Sequence, residues 1–310
     1  MAIWVGVTDK DWLDFLKPQH PDEINFWQPG GKQFHALKPG ELFLFKLKSP
    51  WNVIAGGAFF VQSAVLPLSV AWDAFREKNG SPDFLSLRSK ILSYSSNANK
   101  LALDPMIGCK VLSSPFFFPE DQWIPQPTNW SPNLVAGRAY DEDSAEARQL
   151  LAQVQAYLTE DIDNVRYEIS EAVDPKSVKR YAPVTTMRRL GQGAFRVLIT
   201  EAYQHRCAAT QEKTVPVLQA AHIKPYSAGG SHEVQNGILL RSDIHTLFDL
   251  GYITIASDLT LEVSSRIKEE YKNGREYYAL HGRRLHTPAS ISKQPHRDLI
   301  EWHNSNVFHR

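Results

Sequence analysis

The sequence predicts an α+β protein in three parts: a small mixed β-barrel at residues 1–135, a helical linker at 136–187 and a second mixed domain at 188–310. A chain of 310 residues usually contains two domains. The first part holds seven of the eight tryptophans and several short apolar stretches bounded by turn residues, a pattern typical of strands. Hydrophobic residues make up 43%, which is enough for ordinary cores.

The barrel is predicted from short strands with few helices between them. Apolar residues dominate Leu42–Leu47 and Val53–Val61, and a Ser-Pro-Trp-Asn turn separates these two stretches. The segment "IWVGVTD" predicts another strand near the start of the chain. A short helix is expected over Val70–Gly80, where Asn79 and Gly80 supply the stop signal. Many aromatic residues among short strands favour a small mixed barrel.

The linker combines one amphipathic helix with a polar stretch. The segment "DEDSAEARQLLAQVQAYL" places apolar residues near a 3.6-residue period and acidic residues in its first turn. The polar, proline-containing segment "DPKSVKRYAPVTT" follows it.

Charge is unevenly distributed, although the net charge is zero. Residues 136–175 hold 3 basic and 10 acidic side chains, and residues 176–310 hold 19 basic and 12 acidic ones. The basic C-terminal third indicates a polyanionic partner such as nucleic acid, and scattered solvated charges are the alternative interpretation.

Composition also excludes several classes of protein. No apolar run approaches the ~20 residues that span a bilayer, and the start of the chain lacks a basic stretch followed by a hydrophobic block. We therefore expect a soluble cytoplasmic protein without a membrane partner. Cys109 and Cys207 are the only cysteines, and two thiols make neither a disulfide framework nor a four-cysteine zinc site.

A strand–loop–strand–helix unit carries the candidate chemistry. His222 lies in the predicted strand Val217–Ile223, and Asn236 begins a second strand after a loop rich in Pro, Ser and Gly. In the following helix, Ser242 is the expected N-cap, and Gly251 is the expected residue just after its end.

These residue types suit phosphodiester hydrolysis. A neutral imidazole at His222 can take a proton from water, and Asn236 can tie the long loop to the strand. His245 and Asp249 are four residues apart on the helix, so their side chains share a face and can hold a divalent cation. Arg241 either contacts a DNA phosphate or is a solvated arginine. Taken singly, His222 would be a core histidine, and His245 with Asp249 would be a surface pair.

Four stretches of this region resemble the HNH endonucleases, which have the ββα-metal fold. The resemblance covers residues 188–255 and continues into the C-terminal tail. The stretches are "FRVLITEAYQHRCAAT", "AAHIKPYSAGG", "NGILLRSDIHTLFDLG" and "EWHNSNVF". The resemblance implies that His222 is the general base, that Asn236 fixes the loop, and that His245 and Asp249 bind one divalent metal ion, Mg²⁺ or Mn²⁺. It makes His222, Asn236 and His245 the catalytic set.

The sequence departs from the family at two places. Many HNH sites carry a metal-binding Asp or His just before the base, where this chain has Ala221. We therefore expect only two protein ligands, and we do not expect Gln219 to act as a third. Some relatives also carry zinc-binding CxxC pairs, whereas here Thr210 stands where the second cysteine after Cys207 would be, so no structural zinc is predicted.

The first 135 residues resemble the PUA-like superfamily, most closely its EVE branch. The resemblance is carried by "IWVGVTDKDW", "FWQPGG", "GELFLFKLKSPWNVIAGGAFF" and "IGCKVLSSPFFF". It implies a reader of modified bases, with a preformed pocket for a flipped base. Trp27, Trp51 and Asn52 are the expected pocket residues, and at Gly56 and Gly57 a ligand or another backbone can approach closely.

Together, the two resemblances imply a modification-dependent restriction endonuclease. Such enzymes cut foreign double-stranded DNA that carries modified cytosine, here 5-methyl- or 5-hydroxymethylcytosine, and act in defence against phage. A homodimer is expected because double-strand cutting needs two active sites or two visits. Two alternatives stay open: an HNH nuclease whose first half binds RNA, a nucleotide or a partner protein, and a modified-DNA binding protein with a weak catalytic site.

Overall fold

The computed structural model describes residues 2–95, 100–141, 143–170 and 191–310, with the backbone only for 159–170. The chain separates into two compact units. Unit 1 contains described residues from 2–65, 76–101 and 107–170, and unit 2 contains 66–75, 102–106 and 191–310. The polar linker expected at 174–186 and the boundary expected after residue 187 lie outside the described residues. No described helix is both long and apolar enough to cross a membrane.

Helices and strands alternate irregularly along the chain. The strands are β1 (Ala2–Thr8), β2 (Glu23–Asn25), β3 (Gln28–Pro29), β4 (Leu42–Leu47), β5 (Val53–Pro67), β6 (Met106–Phe117), β7 (Ile124–Pro125), β8 (Gly137–Asp141), β9 (Leu218–His222), β10 (Gly237–Arg241), β11 (Ile253–Ile255) and β12 (Leu261–Val263). The α-helices are α1 (Lys10–Leu16), α2 (Leu68–Phe75), α3 (Phe84–Tyr94), α4 (Ala145–Ser170), α5 (Gln192–Ala202), α6 (Ser242–Asp249), α7 (Arg266–Tyr271), α8 (Arg275–Tyr278) and α9 (Arg297–Asn306).

Unit 1 is built on a mixed sheet in the order β2-β6-β5-β4-β1-β8, with β3 beside β6 and β7 beside β5. Strand β1 pairs with β4 in parallel and with β8 in antiparallel orientation. The α+β class is confirmed. No pairing among the described strands joins β2 to β8, so the sheet is an open path by its pairing and a closed barrel stays a prediction.

Aromatic side chains fill one side of this sheet. Phe43 and Phe45 are completely buried on β4, and Trp12 from α1 packs edge-on against Phe26 and Phe45 at ring distances of 5.3 Å. A second cluster on the sheet includes Ile3, Leu44 and two residues of α4, Leu150 and Val154. The first turns of the predicted amphipathic helix therefore pack on the sheet of unit 1.

Gly56 and Gly57 serve packing within the sheet. A Cβ atom on Gly56 would lie 2.3 Å from the Phe116 carbonyl oxygen, and one on Gly57 would lie 2.7 Å from the Phe116 ring. Gly56 also has a φ of +157°, which side chains rarely adopt. The close approach expected at these glycines is therefore made by the chain itself, at β6, and not by a ligand.

Unit 2 contains the expected strand–loop–strand–helix unit. Strand β9 pairs with β10 in antiparallel register, with His222 opposite Gly237 and Leu218 opposite Arg241. Helix α6 begins at Ser242, so Arg241 and not Ser242 occupies the N-cap position. Gly251, with a φ of +75°, follows the helix end as predicted.

Helix α5 packs closely in unit 2 through two glycines. A Cβ on Gly193 would lie 2.6 Å from the Phe75 ring of α2, and one on Gly237 would lie 2.2 Å from Ile199 of α5. Phe195, Ile199 and Tyr203 are buried in the core of the unit. Gly193, the second glycine of the Gly-X-Gly stretch at this helix start, therefore allows close packing against α2.

Candidate functional site

His222 stands at the end of β9 with its imidazole half-buried. The ring stacks on Phe195 at a centroid distance of 3.9 Å and an angle of 10°. Burial is the largest cause that lowers the pKa of His222, and nearby His232 and His245 lower it further, to about 4. The imidazole is therefore neutral at pH 7, which is the form a general base needs.

His232 lies directly against His222, a contact that no sequence pattern predicts. The two side chains approach at 3.0 Å between His222 Nε2 and His232 Nδ1. His232 also stacks on Tyr226 at 4.9 Å and 9°. When Nε2 of His222 is the donor in this contact, the lone pair of the ring is on Nδ1, and the base has a defined tautomer.

Asn236 closes the long loop with three side-chain hydrogen bonds and is completely buried. Its Oδ1 accepts from the Lys224 backbone N–H at 2.9 Å, and its Nδ2 donates to the carbonyls of Lys224 and Ser231 at 2.9 and 2.8 Å. The backbone of Ile223 also donates to the Asn236 carbonyl at 2.9 Å. This clamp holds the chain on both sides of the loop and so fixes the position of His222.

His245 and Asp249 face each other on α6, as their spacing predicts. Nε2 of His245 lies 3.2 Å from Oδ2 of Asp249. On the other side of the ring, Nδ1 of His245 lies 2.8 Å from Gln219 Oε1 on β9. Because an amide oxygen only accepts, Nδ1 carries the proton and Nε2 is the nitrogen that can bind a metal.

The donor pair fits a divalent cation. Adjacent ligands of an octahedral Mg²⁺ ion with bonds of about 2.1 Å are about 3 Å apart, close to the separation of the two donor atoms in His245 and Asp249. Among the described residues, no group of three or more His, Cys, Asp or Glu side chains is placed to hold a metal. Ala221 is completely buried and supplies no ligand, so water and phosphate would complete the sphere.

Arg241 already has a protein partner. Its guanidinium donates two hydrogen bonds of 2.7 Å to the carboxylate of Asp243, and this pairing raises the arginine pKa. Tyr277 donates to the same carboxylate at 3.3 Å. A phosphate contact by Arg241 would therefore compete with Asp243 or share the guanidinium with it.

The C-terminal helix α9 packs against helix α6. His303 is buried and stacks on Phe248 of α6 at 3.9 Å, and its Nε2 lies 3.2 Å from the Phe248 carbonyl oxygen. Beyond α9, the His309 N–H donates to the Gly251 carbonyl at 2.9 Å. The tail stretch therefore holds the end of the helix that carries Asp249.

A cavity of about 960 Å³ lies in unit 1. Trp27 and Asn52, two of the three predicted pocket residues, are part of its wall. The other aromatic residues of the wall are Trp12, Phe26, Tyr94 and Trp130. Its lysines are Lys32, Lys46, Lys48 and Lys110.

Asn79 organises the tryptophans of this wall. Its backbone carbonyl accepts hydrogen bonds from the indole N–H groups of Trp12 at 3.1 Å and Trp27 at 2.9 Å. Its own side chain is buried and accepts a hydrogen bond from Asn25 at 2.9 Å. Asn79, in the predicted helix stop, thus holds two tryptophans of the cavity wall, a role that turn propensity alone does not reveal.

Trp51 lies outside the cavity wall, contrary to the expected pocket. It is 45% exposed and packs edge-on against Trp123 at 5.5 Å. The ammonium of Lys10 lies over its ring at 5.4 Å. The hairpin tip therefore sends Asn52 and Trp51 to different surfaces.

The roles of several site residues could not be predicted from the sequence, because each role depends on contacts between distant segments. His232 comes from a loop without periodicity, and Gln219 meets His245 only through the packing of α6 on β9. Lys46 stands in the predicted strand Leu42–Leu47, and Lys110 stands in β6, for which no strand was predicted. A charged residue in a strand is usually assigned to the solvent face. A lysine inside an otherwise apolar strand such as "LFLFKL" is the one signal that pointed to Lys46.

Comparison with known proteins matches part of the second unit to a family. The model of the HNH endonuclease family matches residues 207–256, which contain the whole candidate catalytic set. A search of curated proteins found no match.

Similar solved structures include the ASCH protein from Zymomonas mobilis, at 9% identity over 48% of this chain and 94% of that chain, with a TM-score of 0.33. A mutant form of that protein gives 10% identity, coverage of 49% and 95%, and a TM-score of 0.34. The modification-dependent TagI restriction endonuclease gives 14% identity over 98% of this chain and 81% of that chain, with a TM-score of 0.28. On the family match, residues 207–256 of this chain form an HNH endonuclease domain, which supports a nuclease activity.

Proposed function

We propose that this protein is a metal-dependent endonuclease that hydrolyses DNA containing modified cytosine, with the modified base read in unit 1. The observation that carries the nuclease half is one local unit in which His222 is neutral, the loop beside it is clamped by Asn236, and a His/Asp pair faces it from α6. His245 and Asp249 are close enough for their charges to affect the His222 pKa.

Within this proposal, His222 accepts the proton of the attacking water at Nδ1. Nδ1 of His232 accepts a hydrogen bond from Nε2–H of His222, which keeps the His222 ring in the required tautomer. Asn236 holds the backbone on both sides of the loop, so that the base does not move away from the phosphate.

His245 and Asp249 would hold the divalent ion, and Gln219 orients the His245 ring from behind. A bound ion of this kind stabilises the charge that develops on the phosphate and on the leaving oxygen. Arg241 directly precedes α6, and exchange of its Asp243 partner for a phosphate would add a second positive charge.

The reader half is supported by the cavity of unit 1. A volume of about 960 Å³ exceeds what a single nucleobase needs, and aromatic rings line the wall on several sides. Stacking on aromatic rings contributes ~1–3 kcal/mol per base, which offsets the few kcal/mol that flipping costs. Trp27 and Asn52 are the proposed contacts, whereas Trp51 is placed at the surface outside the wall.

The nuclease assignment is tested by plasmid cleavage with Mg²⁺ or Mn²⁺ for the wild type, His222→Ala and a control, His35→Ala. His35 is an exposed histidine of unit 1. We expect the first variant to lose ~10²–10⁴-fold in cleavage rate while it still binds DNA, and the control to cut normally. Full activity of His222→Ala would refute the assignment of the base. Tight binding without any cutting by the wild type would favour the alternative of a DNA-binding protein.

A further inference from the structure

We propose that the part of the ligand seated in the unit 1 cavity is anionic, an oxygen acid such as a carboxylate or a phosphate. This inference rests on the proposed reader function and specifies the chemistry of its ligand. Two sources can supply the anion: an acidic substituent on the modified base, or the phosphate of the flipped nucleotide. In both cases the anion accompanies an aromatic ring.

The wall of the cavity has an excess of positive charge. Among the described residues, the wall contains four lysines, Lys32, Lys46, Lys48 and Lys110, and one carboxylate, Asp9. Asp9 is already paired, since it lies 2.7 Å from the Lys48 ammonium and accepts from the Tyr94 hydroxyl at 3.0 Å. The remaining lysines are therefore not neutralised by the wall itself.

Lys46 is 3% exposed, and its ammonium has only neutral partners among the described residues. It donates to the Leu47 carbonyl at 3.0 Å and to Asn52 Oδ1 at 3.2 Å, and it lies 5.1 Å from the centre of the Trp130 ring. The pairing of β4 with β5 shifts in register between Phe45 and Lys46, so that Lys46 lies opposite Ile54.

Lys110 is 4% exposed and is also paired only with neutral groups in the described part of the chain. Its ammonium donates to Gln28 Oε1 at 2.8 Å and lies over the rings of Phe26 and Phe34 at 5.4 and 5.3 Å. Burial lowers the pKa of Lys110 to about 8, so this side chain is charged in most protein molecules at pH 7.

Two buried ammonium groups without a carboxylate partner are costly in a folded protein, because neutral acceptors replace only part of their hydration. An anionic ligand would supply the missing charge, and the ammonium groups would supply charge-assisted hydrogen bonds to it. The aromatic walls add stacking surface for a ring. A planar ring that carries an anion is found in a nucleotide and in a pyrimidine with a carboxyl group.

The test measures binding by the full chain in EDTA, which prevents cutting. One arm compares duplexes that carry a single 5-carboxylcytosine, 5-methylcytosine or cytosine. The other arm compares deoxycytidine monophosphate with deoxycytidine. We expect at least ~10-fold tighter binding of the anionic member in one arm, and the arm that responds identifies the source of the anion.

Lysine variants test whether the anion is bound at this cavity. Lys46→Met and Lys110→Met are each expected to remove the preference, while Lys38→Met, at an exposed lysine outside the wall, should keep it. Thermal unfolding establishes that each variant folds, and if one fails to fold the other decides. Equal binding of anionic and neutral ligands in both arms, or an anion preference that survives in the folded variants, would overturn the inference.

These outcomes separate the inference from the proposed function. If the chain prefers 5-methylcytosine over cytosine but gains nothing from a carboxyl or phosphate group, the reader function stands and the inference fails. If the nucleotide is bound through the lysines but modified and unmodified DNA are cut equally, the inference stands and the modification-reading function fails.

Discussion

His222 and Lys110 are two basic side chains whose pKa is lowered by burial, with opposite consequences at neutral pH. The pKa of His222, about 4, leaves the imidazole neutral and able to accept a proton. The pKa of Lys110, about 8, leaves the ammonium mostly charged and able to bind an anion. In the proposed function, the same physical cause therefore suits one group to proton transfer and the other to binding of an anion.

The histidine pair predicts a role for His232 in positioning the base. His232→Ala removes the partner of His222 Nε2, so the base loses its fixed tautomer, and we expect cleavage to fall about 10-fold or more. His232→Asn places an amide near the former Nδ1 position and should restore part of the rate. The measurement is single-turnover cleavage of a modified plasmid across pH 5–9.

A merely structural role for His232 would give a different result. In that case His232→Ala would lower thermal stability and would leave the pH profile of the rate unchanged. Equal loss of activity in the alanine and asparagine variants, with an unchanged profile, would contradict the tautomer argument.

Lys110 predicts a trade of stability for binding. A pKa lowered from 10.5 to about 8 corresponds to about 3 kcal/mol of folding free energy lost at neutral pH. Lys110→Met should therefore raise the free energy of unfolding at pH 7. Between pH 8 and 10.5 the unfolded chain holds the proton more tightly than the folded one, so wild-type stability rises with pH and the advantage of the variant should shrink. Denaturant unfolding at pH 7 and 10 measures this, and equal or lower stability of Lys110→Met at pH 7 would contradict it.

At the scale of elements, strand β9 and helix α6 act together on the metal ligand. Gln219 on β9 holds Nδ1 of His245, which directs Nε2 toward Asp249. Ala221 on the same strand is buried and leaves the donor set at two residues. In the proposed metal site, Gln219 therefore orients one of only two protein ligands among the described residues.

Gln219→Ala should weaken metal binding without unfolding the protein. Removal of the group that orients a metal-binding histidine typically costs ~10–100-fold in affinity. Mn²⁺ binding by electron paramagnetic resonance measures the effect, with Gln192→Ala, at an exposed position on α5, as the control. Unchanged Mn²⁺ affinity in Gln219→Ala would show that the ring is oriented by other contacts.

The elements that could be predicted from sequence are those with local signals. Strand β4 has its predicted bounds, and β9, β10 and α6 differ from theirs by a residue or so, because periodicity, glycines and turn residues mark them. The predicted helix over Val70–Gly80 instead divides into α2, which ends at Phe75, and a following 3-10 turn at Arg76–Asn79. The left-handed conformation of Arg76, with a φ of +45°, interrupts the helix, and no propensity rule anticipates it.

The candidate site was predictable for the same reason. His222, Asn236, His245 and Asp249 stand in a short contiguous unit, so their spacing was visible. The reader pocket is assembled from distant segments, so only Trp27 and Asn52 of the predicted residues line it, and Asn79 and Lys110 emerge from the fold alone.

At the scale of the whole molecule, the chain combines an HNH endonuclease domain with a separate unit that encloses an aromatic, lysine-rich cavity. A nuclease site that contacts mainly the phosphates of the DNA backbone cannot distinguish bases well, so the discrimination has to come from a second site. We propose that this second site is the cavity of unit 1, and that binding of a modified base in the cavity determines which DNA is cut.

The most direct test compares cleavage of two plasmids that are identical except that one carries 5-methyl- or 5-hydroxymethylcytosine, with Mg²⁺ or Mn²⁺. We expect the wild type to cut the modified plasmid in strong preference, and Trp27→Ala to lose this preference while it still cuts under permissive conditions. Equal cutting of both plasmids by the wild type, or a preference that Trp27→Ala and Asn52→Ala both retain, would contradict it.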